Sequence, residues 1–221
     1  MMTIHSSMAD LRRIGLDAIR DELARSGYSS RIPGVFVRDL APGVREWVSV
    51  QTSTSKSPQY VKFWLHLGVI VEVVQRCLSI LMESSGWEHS PTISAALQPF
   101  LPPGTEHGWF LTEPSAARSL ANIIGRALTQ YGKPVIDSMN TLERVRAHLE
   151  RGTAGTSYLR QTSPIIYALT GNPALAQSIV QSEVAKISDQ NNPAAEDYRG
   201  FASRFFNELK TSGFNRVERD L

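Results

Sequence analysis

Three stretches between residues 35 and 69 alternate apolar and polar residues with a period of two, and only short turns separate them. Val35–Leu40 follows Pro33-Gly34. Ala41-Pro42-Gly43 leads into Val44–Thr54, and the polar loop Ser53–Gln59 precedes Tyr60–Val69. Side chains of a strand point alternately to its two faces, so each stretch reads as a strand with one buried face. Connections this short reverse the chain, which predicts an antiparallel meander. In the third stretch Val61, Phe63, Leu65, Leu67 and Val69 share the inner face, while Tyr60, Lys62, Trp64 and His66 share the other.

On either side of the meander the period changes to 3.6. Leu16, Ile19 and Leu23 stripe a helix over Ser7–Ser26, opposite Asp10, Arg13, Asp17, Arg20 and Asp21. Gly27 suits a left-handed end to that helix. Gly15 inside it costs about 1 kcal/mol against Ala, which close packing would explain. Val69–Ser84 fits both periods, and the stripe Val73, Val74, Cys77, Leu78, Leu81, Met82 selects a helix from about Val71. Residues 85–108, with Pro91, Pro99, Pro102 and Pro103, read as irregular, and Trp109–Leu111 as a short strand.

The remainder reads as helical. Pro114 opens a helix striped by Leu120, Ile123, Ile124, Ala127, Leu128 and Tyr131, and Gly132 and Pro134 end it. Asn140 with Glu143 starts the next, which carries Leu142, Val145 and Leu149. Ser163-Pro164 and Asn172-Pro173 open helices over 164–170 and 173–188, and a last one spans about 193–211. The expected fold is α+β: an N-terminal helix on an antiparallel sheet of three to five strands, followed by a mainly helical C-terminal half. Residues 152–162 offer the best boundary, giving 1–151 and 152–221, with one domain over 1–221 as the alternative.

The run LARSGYSSRIPGVFVRDL, then VREWVSVQTSTS, then YVKFWLHLGV, resembles an uncharacterised bacterial family, a domain of unknown function. That family pairs a long helix and Gly-aromatic entry with strands ending in Gln-x-Ser and Leu-Gly. Gly27, Tyr28, Gln51, Ser53, Leu67 and Gly68 are the matching positions, and SPIIYALTGNP resembles its C-terminal helical part. The resemblance implies an α+β fold and a bacterial source, and supplies no activity, cofactor or catalytic residue.

Several chemistries lack their residues. With 42% hydrophobic residues, 23 basic and 21 acidic side chains, the chain is neither disordered nor a polyelectrolyte. A net charge of +2 is no nucleic-acid footprint. The longest apolar runs are too short to span a bilayer, and no secretory signal opens the chain, so a cytoplasmic protein is expected. Cys77 is the single cysteine and sits on an apolar helical stripe, reading as a buried hydrophobe. His5, His66, His89, His107 and His148 show no ligand spacing, and Glu88-His89 and Glu106-His107 are isolated pairs, so no metal is expected. No phosphate loop or nucleophile elbow occurs, and no cofactor is expected. The helical pair around residues 163–187 offers Gln177, Gln181 and a single cation, Lys186, too little for a DNA-reading helix.

One constellation stays. Arg45, Trp47, Ser49 and Gln51 alternate on the second strand, as Tyr60, Lys62, Trp64 and His66 do on the third. Paired antiparallel, these strands bring two indoles and cationic edges to one surface, suited to a planar ligand or a protein partner's acidic groups. Alternatively, a helix over 115–131 covers that face and the indoles are core. A non-enzymatic accessory or immunity-type binding protein is the first expectation. A hydrolase-like enzyme using His66 as general base, with Gln51, Glu46 or Asp39, is the second.

Overall fold

The computed structural model describes residues 7–56, 59–84, 89–105, 108–152, 159–211 and 214. Ser7 caps helix α1 (Met8–Arg25): its hydroxyl accepts from the Asp10 backbone N–H and donates to the Asp10 carboxylate. Gly27 follows in the left-handed region, φ +85°. Then come strands β1 (Ser29–Ile32), β2 (Val35–Ala41), β3 (Val44–Lys56) and β4 (Gln59–Val71). Helix α2 (Glu72–Met82), β5 (Ile93–Ala96), β6 (Trp109–Leu111), α3 (Ala117–Ala127), α4 (Lys133–Asp137), α5 (Leu142–Glu150), α6 (Leu159–Leu169), α7 (Pro173–Lys186) and α8 (Pro193–Lys210) complete the chain.

The fold is α+β, and the antiparallel sheet has six strands, one beyond the expected range. Their order is β1-β2-β3-β4-β5, with β6 also paired to β4. The short strands β1 and β5 escape a period-two reading because burial does not alternate along them.

Two compact units form. The first holds residues 1–40, 46–68 and 95–138; the second holds 41–45, 69–94 and 139–221.

In the first unit Val61, Phe63, Leu65 and Leu67 have no exposed surface. Each such side chain contributes about 1.5–3 kcal/mol by burial. Helix α1 presses on them: a Cβ at Gly15 would stand 2.4 Å from the Phe63 ring and 3.1 Å from Leu111. Close packing is therefore what the helical glycine provides. Helix α3 lies beside α1, where a Cβ at Gly125 would meet Glu22 at 2.9 Å. Just before β6, Gly108 has φ +89°, and a Cβ there would come within 2.6 Å of the Phe63 carbonyl. Only glycine lets the chain enter this pairing, in which Val61, Lys62 and Phe63 face Leu111, Phe110 and Trp109.

The helix expected to stop at Gly132 and Pro134 continues. A π-turn over Leu128–Gly132 leads into α4, with Pro134 near its start. Proline lacks the N–H for an α-turn and its ring collides with the carbonyl four residues back; the wider turn removes both conflicts. A Cβ at Gly132 would lie 2.9 Å from Leu67, so this segment packs on the sheet's inner face. Ile123, read as part of the apolar stripe, is 41% exposed.

In the second unit Thr92 governs the strand-to-helix change at the start of α2. Its hydroxyl accepts from the Val71 backbone N–H (2.8 Å) and from Gln75 Nε2 (3.2 Å). Helix α5 is capped by Thr141, whose hydroxyl accepts from the Arg144 N–H, one residue later than the Asn140 start expected. Helix α6 is already under way at Leu159, with Pro164 inside it, so Ser163-Pro164 is not a helix start. The carbonyl that Pro164 cannot serve, that of Arg160, accepts from the Tyr198 hydroxyl instead (3.3 Å). Asn172 caps α7 as the sequence predicts, and Asn192 caps α8. Tyr198, Phe201, Phe205 and Phe214 then stack along α8 with ring centroids 5.3–5.8 Å apart.

Candidate functional site

The residues read as a binding face separate into three environments. Arg45 is half-buried and its Nε lies 3.4 Å from Glu72 Oε1 in the second unit. In the first unit Trp47 is only 8% exposed, Ser49 is buried, and the exposed Gln51 donates to Ser49 Oγ at 2.8 Å. Tyr60, Lys62, Trp64 and His66 are half-buried on the outer face of β4. Helix α3, named above as a cover for that face, packs beside α1 instead.

Strand β6 adds a residue that the sequence reading missed. Phe110 stands opposite Lys62 in the β4–β6 register and is 47% exposed. Its ring meets Tyr60 edge-on at 5.1 Å, and Lys62 Nζ lies 5.8 Å from Phe110 and 5.9 Å from Trp64. The face's cation is thus already held by the protein's own rings. Burial alone pushes the His66 imidazole below its ordinary value. Glu46, one of the carboxylates considered beside it, is engaged elsewhere.

Glu46 is 1% exposed and accepts three hydrogen bonds. Arg38 donates through Nε (3.0 Å) and Nη2 (2.9 Å), and the Tyr28 hydroxyl donates to Oε2. Arg38 Nη1 reaches the Ser26 carbonyl at 2.8 Å, and its guanidinium lies 4.6 Å from the Tyr28 ring centre. Burial first, and then the Glu46 carboxylate, drive the Tyr28 hydroxyl far above the usual tyrosine value. Each member satisfies another, so this trio is a structural lock. Beside it a cavity of about 260 Å³ is lined by Ser26, Tyr28, Arg38, Leu128, Thr129 and Lys133.

A cavity of about 590 Å³ lies between α1 and β1. Arg12, Arg13, Leu16 and Arg20 form its helical wall, a three-turn stripe from Ala9 onward. Arg31, Ile32 and Pro33 form the opposite wall, and Phe36 lines it too. Ile32 is 46% exposed. Asp17 holds Arg20 at 2.9 Å and Arg13 at 3.7 Å. Arg12 and Arg31 have no ion-pair partner among the described residues. The groove joins exposed apolar surface to uncompensated positive charge, a combination that holds anionic groups on an apolar body. Sequence alone hides it, because Arg12 and Arg31 are far apart along the chain and meet only through the turn after α1.

Other candidates resolve simply. Among the described residues no three His, Cys, Asp or Glu converge on a metal position. His5, Glu88, Glu106 and His107 lie outside the described residues. Cys77 is buried, its thiol pushed up to about 12 by burial and then by Glu208. Gln177 and Gln181 of α7 line a groove with Phe206 and Leu209 of α8, and Lys186 pairs with Glu183. No described helix is long and apolar enough to cross a membrane. Comparison with known proteins adds nothing to this geometry: no family model, no curated protein and no solved structure matches the chain.

Proposed function

We propose that this chain is a cytoplasmic, non-enzymatic bacterial binding protein whose α1/β1 groove receives an acidic segment of a partner protein. One observation carries the reading. Arg12 and Arg31 line the groove without an ion-pair partner among the described residues, whereas Asp10, Asp17 and Asp21 pair with its other two arginines, Arg13 and Arg20. These two unpaired cations flank one apolar cleft, and orient an acidic partner.

The test is a fluorescence-anisotropy titration with a labelled acidic peptide, Asp-Val-Glu-Val-Asp. Arg12→Glu/Arg31→Glu weakens binding at least roughly tenfold, the equivalent of about 1.4 kcal/mol, with unchanged circular dichroism. Equal binding by wild type and variant overturns the reading. A second reading places the partner on the outer face of β4 and β6, favoured by the exposure of Phe110 beside Tyr60 and Trp64. Loss of peptide binding in Trp64→Ala but not in the arginine variant would move the site there.

A further inference from the structure

We infer that the occupant of the α1/β1 groove is an extended segment that adds a strand to the free edge of β1. This rests on the docking reading above and specifies its geometry.

Among the described residues strand β1 ends the sheet, with β2 as its one neighbour, and all four of its residues are exposed. An edge strand presents backbone N–H and C=O groups that a peptide in β conformation can pair with. The groove borders this strand, with α1 as its far wall.

The length of the groove sets the size of an extended occupant. The α1 stripe from Ala9 to Arg20 is about 16 Å long at 1.5 Å per residue. Roughly five extended residues span that length.

The edge also selects by charge. Ser30 faces Phe36 and Ile32 faces Val35, so Arg31 is the extra residue of a bulge. Bulges, charges and prolines are the devices that keep sheet edges from pairing indiscriminately, and β1 has Arg31 in a bulge with Pro33 following. A neutral or basic strand would bury the Arg31 charge without a partner; an acidic strand supplies that partner, and Arg12 across the groove supplies a second contact.

The experiment uses the full chain and the Asp-Val-Glu-Val-Asp peptide, each backbone amide N-methylated in turn. An added antiparallel strand points alternate amides at its neighbour. Affinity therefore falls about tenfold at every second peptide position and stays within a factor of about two at the others. A flat methylation profile, with binding still lost in Arg12→Glu/Arg31→Glu, overturns strand addition and leaves the docking reading standing. Equal binding of the neutral peptide Asn-Val-Gln-Val-Asn, or no binding of the acidic one, overturns the docking reading itself. A concentration-dependent dimer in light scattering that the acidic peptide cannot dissociate would seat a second copy on β1 and overturn the inference.

Discussion

The two units solve the same problem, buried polar groups, by different chemistry. In the first, side chains answer side chains: Tyr28 and Arg38 converge on Glu46, an ionic trio set in the core. In the second, side chains mostly answer the backbone. Tyr198 serves the Arg160 carbonyl, Arg204 serves Leu81, Arg146 serves Thr170, and Arg199 serves Ile187 and Gln190. The contrast follows from architecture. Strands pair their backbone groups with each other, leaving side chains to compensate one another. Helices leave four carbonyls open at each C-terminal end, and long cationic side chains reach them.

The largest effect tests the ionic side of this contrast. Glu46→Ala strands the Arg38 guanidinium and the Tyr28 hydroxyl, and destabilises the chain by about 3 kcal/mol in urea denaturation. The figure belongs at the lower end for a buried pair because the Arg38 side chain keeps 30% of its exposure. A loss below about 1 kcal/mol would mean that the trio is no stronger than a surface pair.

A smaller effect tests the backbone side. Tyr198→Phe leaves the Arg160 carbonyl without its donor and costs about 1 kcal/mol. In a Pro164→Ala background the restored N–H takes over that carbonyl, and the same substitution becomes nearly neutral. A double-mutant cycle measures the difference; additive losses would show that Tyr198 does not stand in for the missing amide.

The smallest effect concerns a half-buried ring whose shift has burial as its only cause. His66 titrates below its ordinary value in the folded chain, so the unfolded chain binds its proton first. Stability therefore falls as pH drops below about 6.5, and levels off once the folded ring is protonated as well. His66→Gln removes that part of the slope, read as a urea midpoint that changes less between pH 7 and pH 5.5. An unchanged slope would assign the acid sensitivity to other groups.

How legible this molecule is depends on how local each signal is. The α+β class, α1 with Ser7 and Gly27, the inner face of β4, and the Asn172 cap all follow from neighbours a few residues apart. So does the strand-to-helix change, placed at about Val71 and observed at Glu72. Pro134 and Pro164 mislead for a single reason. Proline normally ends helices, but a π-turn accommodates the first, and Tyr198, 34 residues downstream of Pro164, compensates the second. Strand β1 is hidden because every residue in it is exposed, and Phe110 because it reaches Lys62 only through pairing. Of the seven residues expected to bind, the structure gathers Tyr60, Lys62 and Trp64, whereas Trp47 is buried and Arg45 is engaged by Glu72. The groove needs tertiary geometry throughout.

The π-turn at Leu128–Gly132 carries a consequence for how this helix can change. It amounts to one surplus residue in a rod, and everything after it is rotated by about 100° around the axis. Gly132 and Ile136, rather than Tyr131 and Val135, consequently face inward. Excising any one residue of that turn would restore the regular hydrogen-bonding ladder and leave Ile136 in its seat, because the turn absorbs the surplus. The irregularity is a phase-setting splice, and the apolar lettering beyond it is legible only to a reader who counts the extra residue.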